Sequence, residues 1–273
     1  MIDIYKKLPG TNCRECGEST CMAFALKVKN AQRKLSECPY VKHEDEESLT
    51  QESVVTMENN YKRVSKELEE EIKLVDLKEA ADAIGGNYHK GSPEATLSAS
   101  SRSDSVGNSG GVIRLKMMND EYEVRNEGLF KGNQYCHDSW SKIIIYDYVR
   151  RKGNISLTGD WVSLGHFHDA ASHTKAFQQK AESKIAEKFN SDINGLKNRC
   201  KELEGVEVQS EIKADYVCGF ELLPRVPMYI CFWEADEEFP ASCKLHVDSS
   251  AEAYIDIEYL AYLLEWFVKI FVE

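Results

Sequence analysis

The chain has 273 residues, 42% of them apolar and 29% charged, values of an ordinary folded globular protein that exclude a collagen-like repeat, a disordered chain and a multispanning membrane protein. Its 34 Lys and Arg against 46 Asp and Glu leave a net charge of −12, a surface that repels phosphate backbones, so nucleic acid is not an expected partner. The opening MIDIYKKLPG lacks the apolar run of a secretion signal, which points to a cytoplasmic, reducing setting where cysteines serve as metal ligands or buried thiols rather than disulfides.

The charge is unevenly spread. Residues 1–43 hold eight basic and four acidic side chains, so this stretch carries +4 and the remainder −16. The same stretch holds Cys13, Cys16, Cys21 and Cys38, four of nine cysteines within 26 consecutive residues. Spaced Cys-x2-Cys-x4-Cys-x16-Cys-Pro, they supply four thiolates, the set a [4Fe–4S] cube needs for one outer sulfur per iron. Structural zinc also takes four cysteines, usually as two close pairs, which Cys21 and Cys38 do not form. Ser19-Thr20 predicts an N-cap for a helix with Cys21, Phe24, Ala25 and Val28 on one face. Run straight to Cys38, that helix would separate its two thiols by about 25 Å, at ~1.5 Å per residue. One cube cannot span that, so the helix is predicted to end near Lys29–Arg33 and the chain to double back.

The composition divides the chain into a cluster-binding module at 1–45 and a larger mixed domain at 46–273. After the acidic stretch KHEDEES, a polar helical pattern runs from about Leu49 to Leu74, and a shorter one from Asp76 to Ile84 stops at Gly85-Gly86. Residues 92–111, with seven Ser and three Gly, have too little apolar surface to repay their ordering and predict a mobile loop. Residues 112–118 and 121–125 predict a β-hairpin turning at Asn119-Asp120. Trp140–Arg151 reads as a helix stopped by Gly153. A helix capped by Ser172 carries Phe177, Ala181, Ile185 and Phe189, and another ends near Leu203. A buried strand at 226–233 pairs with 244–248. The last helix places Ile257, Leu260, Ala261, Leu264, Phe267, Val268 and Phe271 on one face. Its apolar run of fourteen residues, with Glu265 and Lys269 inside, falls short of the ~20 needed to span a bilayer. It reads as a core helix or one side of a homodimer interface. The fold class is α+β.

The string LPGTNCRECGESTCMAFALKVKNAQRKLSECP resembles the small [4Fe–4S] domain that opens the large subunit of the corrinoid iron–sulfur protein, a companion of carbon monoxide dehydrogenase/acetyl-CoA synthase. The likeness covers about the first 40 residues and implies a cluster held by Cys13, Cys16, Cys21 and Cys38. Residues from about 50 onward, in particular IIIYDYVRRKG, LTGDWVSL and the run from LLPRVPMYICFWEADEEFPA to HVDSSAEAYI, resemble a domain-of-unknown-function family numbered 3786. That resemblance brings no reaction with it.

Two weaker constellations stand in the larger domain. Asp236 and Glu237 follow the buried strand and suit acid–base or metal chemistry, or else a solvated acidic turn. His166, His168 and His173 with Asp169 suggest a nitrogen-rich metal site, or else loop and capping positions. The remaining cysteines, such as Cys231 in its apolar strand, read as buried thiols. No phosphate-binding glycine loop, dinucleotide fingerprint or Gly-x-Ser-x-Gly elbow is present. The expected function is one-electron transfer at low potential to a redox partner, by analogy a corrinoid-containing one. The alternatives are a structural or sensory cluster on a domain active near Asp236/Glu237 and His166/His168, or a non-catalytic adaptor.

Overall fold

A computed structural model of the chain describes residues 2–29, 33–41, 59–90, 111–170 and 177–273. The chain divides into two compact units, 1–63 and 64–273. The sequence-derived boundary at 45/46, the start of the helix at Leu49, the serine-rich loop and His173 lie outside the described residues.

In the first unit, α1 (Ile2–Lys6) and α2 (Cys21–Lys29) are joined by an irregular loop, and a single 3-10 turn follows at Leu35–Glu37. Thr20 caps α2, its Oγ1 accepting from the Ala23 amide at 3.0 Å, which meets one of the unpaired donors of the first turn. No helix continues to Cys38, because Lys34 is extended (φ −93°, ψ 145°) before the 3-10 turn. The core of this unit is small: Leu8, Cys21, Phe24, Ala25, Leu35 and Cys38 are buried together, with Ile4, Tyr5, Cys16, Val28 and Val41 against them.

The second unit is α+β. Its early helices are α3 (59–72), whose residues from Val64 onward belong to this unit, and α4 (Leu77–Ile84). Asp76 accepts from the amides of Lys78 and Glu79 at the start of α4, and Gly85 closes it at φ 75°, the left-handed position glycine takes without penalty. One antiparallel sheet is a meander of β1 (Asn87–Lys90), β2 (Gly111–Met117), β3 (Asp120–Arg125), β4 (Gly128–Lys131) and β5 (Gln134–Tyr135), in that order. The β2–β3 turn differs by one residue from the sequence reading. Met117 pairs with Asp120, so Met118 (φ 53°) and Asn119 make the turn. Two contacts account for the shift: the Met118 amide donates to the Leu222 carbonyl at 2.8 Å, and Asp120 pairs with Lys131 at 2.6 Å.

Helix α5 (Ser139–Arg151) follows, capped by Asp138. Lys152 takes the left-handed closing position at φ 57°. Gly153 therefore serves a different purpose from the helix stop expected of it: at φ 25°, a Cβ there would overlap the ring of Tyr254. Gly153→Ala is expected to cost about 1–3 kcal/mol through overpacking, read as a lower urea midpoint with an unchanged slope.

The second sheet has strand order β6 (Trp161–Ser163), β10 (Ser242–Asp248), β9 (Val226–Trp233), β8 (Tyr216–Leu223) and β7 (Val206–Glu207), all antiparallel. Between β6 and β7 run a π-helical turn at Gln178–Glu182, then α6 (Ser183–Lys188) and α7 (Ile193–Glu202). Pro227, which has no amide to donate, sits opposite Glu221 where the β8–β9 register slips, the kind of irregularity that tolerates proline. Because β6 reaches only to His246, the next amide of β10 lacks a strand partner. The buried Glu182 supplies one, accepting from Leu245 at 3.1 Å and from Lys244 Nζ at 2.7 Å.

Phe220 of this sheet packs against α9 (Ile257–Val272), which follows a short helix, α8 (Ala251–Tyr254). Phe220 meets Phe267 at 4.8 Å, and Phe189 meets Phe271 at 5.7 Å. Arg199 and Lys188 donate to the last carbonyls of α9, at Ile270, Phe271 and Val272, which have no partner within the helix. The apolar face of the last helix is thus a core face. Among the described residues no helix is long and apolar enough to cross a membrane.

The strings that mark this unit are structural locks. Asp147 on α5 is fully buried; its carboxylate accepts from Arg150 at 2.5 Å, Arg151 at 2.9 Å and the Asp256 amide at 2.8 Å. Tyr148 donates to the Ile84 carbonyl at 2.8 Å and accepts from the Arg225 amide at 3.0 Å.

Candidate functional site

The cysteine loop of the first unit is shaped by unusual backbone angles and three side-chain links. Asn12 and Arg14 adopt φ 51° and 65°, and Gly17 adopts φ 80°. The two non-glycine angles carry strain that surrounding contacts must hold. Asn12 Oδ1 accepts from the Cys21 amide at 2.8 Å, tying the loop to the start of α2. Arg33 donates to the Cys16 carbonyl at 3.1 Å. Tyr40 donates to Glu15 at 2.8 Å. Gly17 is favoured by its positive φ, and a Cβ there would stand 3.0 Å from the Arg33 guanidinium, close enough that the arginine would have to give.

Charges around the loop are arranged in pairs. Glu18 accepts from Lys27 at 2.8 Å and lies 3.5 Å from Arg33, and Arg33 also pairs with Glu37. The hydrogen bond from Lys27 foremost holds the Glu18 carboxyl below its usual range; burial opposes it, and Arg33 adds to the lowering. Glu37 is likewise lowered, first by the Lys34 amide, which donates to it at 2.8 Å.

The four sequence-predicted thiols occupy graded environments. Cys21 and Cys38 are buried, Cys16 is half-buried against the same apolar cluster, and Cys13 is exposed on the loop. None is in a disulfide. Among the described residues, no three Cys, His, Asp or Glu side chains converge as they would around one metal ion. The donor set nonetheless suits a soft cluster: four free thiols, three of them sharing one apolar lining, with the first turn of α2 beginning at Cys21, where a helix dipole favours anionic ligands.

Among the described residues, which leave out His173, the structure gathers neither of the other two constellations. Asp236 Oδ1 accepts from the amides of Glu238 and Phe239 at 2.8 and 2.7 Å, closing an exposed turn in which Glu237 also lies. His166 and His168 are exposed, and the ring of His166 stands edge-on to Phe167. Two clefts of this unit, about 470 and 380 Å³, are lined by Trp140, Tyr262 and Trp266 and by Met118, Phe220 and Phe267 respectively, and neither includes these acids or histidines. Sequence reasoning passed over a buried polar group: Lys142 Nζ donates to Glu69 at 2.7 Å and to the Tyr135 hydroxyl at 2.6 Å. Its members come from α3, β5 and α5, so only the tertiary fold brings them together.

Comparison with known proteins falls into two segments. The family model described as Domain of unknown function (DUF3786) matches residues 93–270, and that described as Putative Fe-S cluster matches residues 8–40. The corrinoid/iron-sulfur protein large subunit of Moorella thermoacetica is 46% identical over 48 residues, 18% of this chain and 11% of that protein. The acetyl-CoA decarbonylase/synthase complex subunit gamma of Methanosarcina acetivorans is 58% identical over 38 residues, 14% of this chain and 8% of that protein. The subunit of the same description from Methanocaldococcus jannaschii is 50% identical over 38 residues, again 14% of this chain and 8% of that protein. The chain thus spans about a tenth of the length of the curated relatives it matches. No solved structure gives a significant match. These matches support an iron–sulfur cofactor in the N-terminal segment.

Proposed function

The chain belongs to the DUF3786 family, and on that premise we propose that its N-terminal segment holds a [4Fe–4S] cluster through Cys13, Cys16, Cys21 and Cys38 and carries single electrons to a protein partner in the cytoplasm. The observation that carries this reading is the shared environment of the thiols: Cys16, Cys21 and Cys38 meet in one apolar cluster while Cys13 stands on the exposed loop. A cube binds each thiolate to a different iron, so its ligands stand farther apart than those of a single zinc ion. When bound, the cluster supplies one-electron chemistry.

The chain's own residues set the conditions for it. Leu8, Phe24 and Leu35 exclude water on the buried side, and Asn12, Arg33 and Tyr40 hold the loop. The surplus of basic side chains in residues 1–43 suits an acidic docking face on the partner. Relatives named as corrinoid/iron–sulfur and acetyl-CoA decarbonylase/synthase subunits make a corrinoid-bearing protein the acceptor to try first. The larger α+β unit then serves to recognise that partner.

The test is anaerobic purification with iron, sulfide and zinc counted per chain, followed by dithionite reduction watched by electron paramagnetic resonance. About four irons and four sulfides, with a signal that disappears on reoxidation, are expected. Zinc in place of iron, or iron that dithionite does not reduce, would overturn the reading.

A further inference from the structure

Among the described residues, one acid of the cysteine loop stands outside any ion pair. Glu15 lies between Cys13 and Cys16, and its Oε1 accepts from the hydroxyl of Tyr40, two residues beyond Cys38. Glu18 and Glu37 spend their charge on Lys27 and Arg33. Among the described residues, no lysine or arginine is in ion-pair contact with Glu15; its partner is a neutral phenol. That contact joins two chain segments 25 residues apart, one bearing the first two thiols and the other the last. Glu15 thus stands two residues from Cys13 and one from Cys16, and the residue that holds it stands two from Cys38.

We propose that Glu15, held in place by Tyr40, is the fixed charge that tunes this site, disfavouring the added electron and lowering the midpoint potential of the cluster. The inference rests on the cluster reading of residues 8–40. One electron enters and no bond is made or broken, so the effect is Coulombic: a carboxylate beside the thiolates opposes the more negative, reduced state. Tyr40 is a positioning residue, since it acts through the place it gives the carboxylate.

The experiment is a redox titration of the full-length holoprotein under anaerobic conditions, monitored by electron paramagnetic resonance, with iron counted for each variant. Glu15→Gln is expected to keep its iron and to raise the midpoint potential, so that its ratio of reduced to oxidised cluster at a fixed solution potential is several-fold higher. Tyr40→Phe should shift the same way by less, because the charge remains but is released toward water. Glu15→Asp should stay near the unaltered protein. Full iron content with an unmoved potential in Glu15→Gln overturns the proposal. Iron loss in Glu15→Gln with an unmoved potential in the clusters that remain also overturns it, reducing the contact to a structural clasp. Unaltered protein that binds no cluster removes the parent reading and this one together, which separates the two failures.

Discussion

Stripping the iron is expected to unfold the N-terminal segment while residues 64–273 stay folded. The buried core of the first unit amounts to Leu8, Cys21, Phe24, Ala25, Leu35 and Cys38, and two of the six are proposed ligands. Helix α2 has nine residues, shorter than the ~12–15 at which an isolated helix becomes even marginally stable in water. Chains of about 40 residues rarely bury enough surface to fold without a metal or cross-link. Metal binding then becomes folding free energy, on the order of 10 kcal/mol in comparable zinc modules. Four thiolates freed of their cluster would leave two buried cysteines and a strained loop with little to hold them. Hydrogen exchange before and after anaerobic chelation measures this: amides at 21–29 and 35–41 should lose protection, and those of β8, β9 and α9 should keep theirs. Reduction by dithionite, in contrast, should leave both sets protected, since an electron carrier must hold its fold in both redox states. Protection that survives chelation at 21–29 would show that the thiols are dispensable to the fold and would weaken the cluster assignment itself.

How far the chain could be read in advance follows from how local each feature is. The cysteine spacing, the Thr20 cap of α2, the Asp76 and Gly85 boundaries of α4 and the apolar face of α9 are all set within a few turns of helix, where pattern and chemistry coincide. Break of the helix before Cys38 followed from distance alone. Short strands behave differently. β6 has three residues and exists because β10, some eighty residues later, pairs with it. Nothing in Trp161–Ser163 announces that. The β2–β3 turn moved by one residue because a tertiary hydrogen bond from Met118 to Leu222 outweighed the local preference of Asn-Asp. Buried acids were the least legible. Asp147, Glu182 and Asp248 look like surface residues by type, and only their distant donors make burial tolerable. The acidic turn at Asp236 was visible as a candidate for chemistry, but its carboxylate is committed to the amides of its own turn.

Asp248→Ala is expected to destabilise the second unit by about 2–4 kcal/mol, since hydrogen bonds to a charged acceptor contribute ~1.5–3 kcal/mol each and the buried Ser250 donors lose theirs. The residue is 1% exposed at the end of β10. Its Oδ1 accepts from the Thr158 amide at 3.1 Å, the Thr158 hydroxyl at 2.9 Å, the Ser250 amide at 2.9 Å and the Ser250 hydroxyl at 2.6 Å. Oδ2 accepts from the Gly159 amide at 2.7 Å. One carboxylate thus satisfies five donors and closes the LTGDW segment onto HVDSS. Burial by itself would raise this acid's pKa, but the Ser250, Thr158 and Gly159 donors outweigh it and hold the group down from 3.8 to about 2. A carboxyl lowered in the folded state stabilises above its unfolded pKa and loses that contribution as pH falls through the folded one. The window is therefore about pH 4 down to pH 2, and the depression is equivalent to roughly 2 kcal/mol. Urea unfolding followed by circular dichroism gives the stability of the unaltered chain and of Asp248→Asn at each pH. Other carboxyls titrate in both proteins, so the difference between the two curves isolates this one. It should be largest near neutrality and shrink between pH 4 and pH 2. A difference that stays constant through that window would mean that the donors bind the amide as well as the carboxylate, and that geometry rather than charge holds the two segments together.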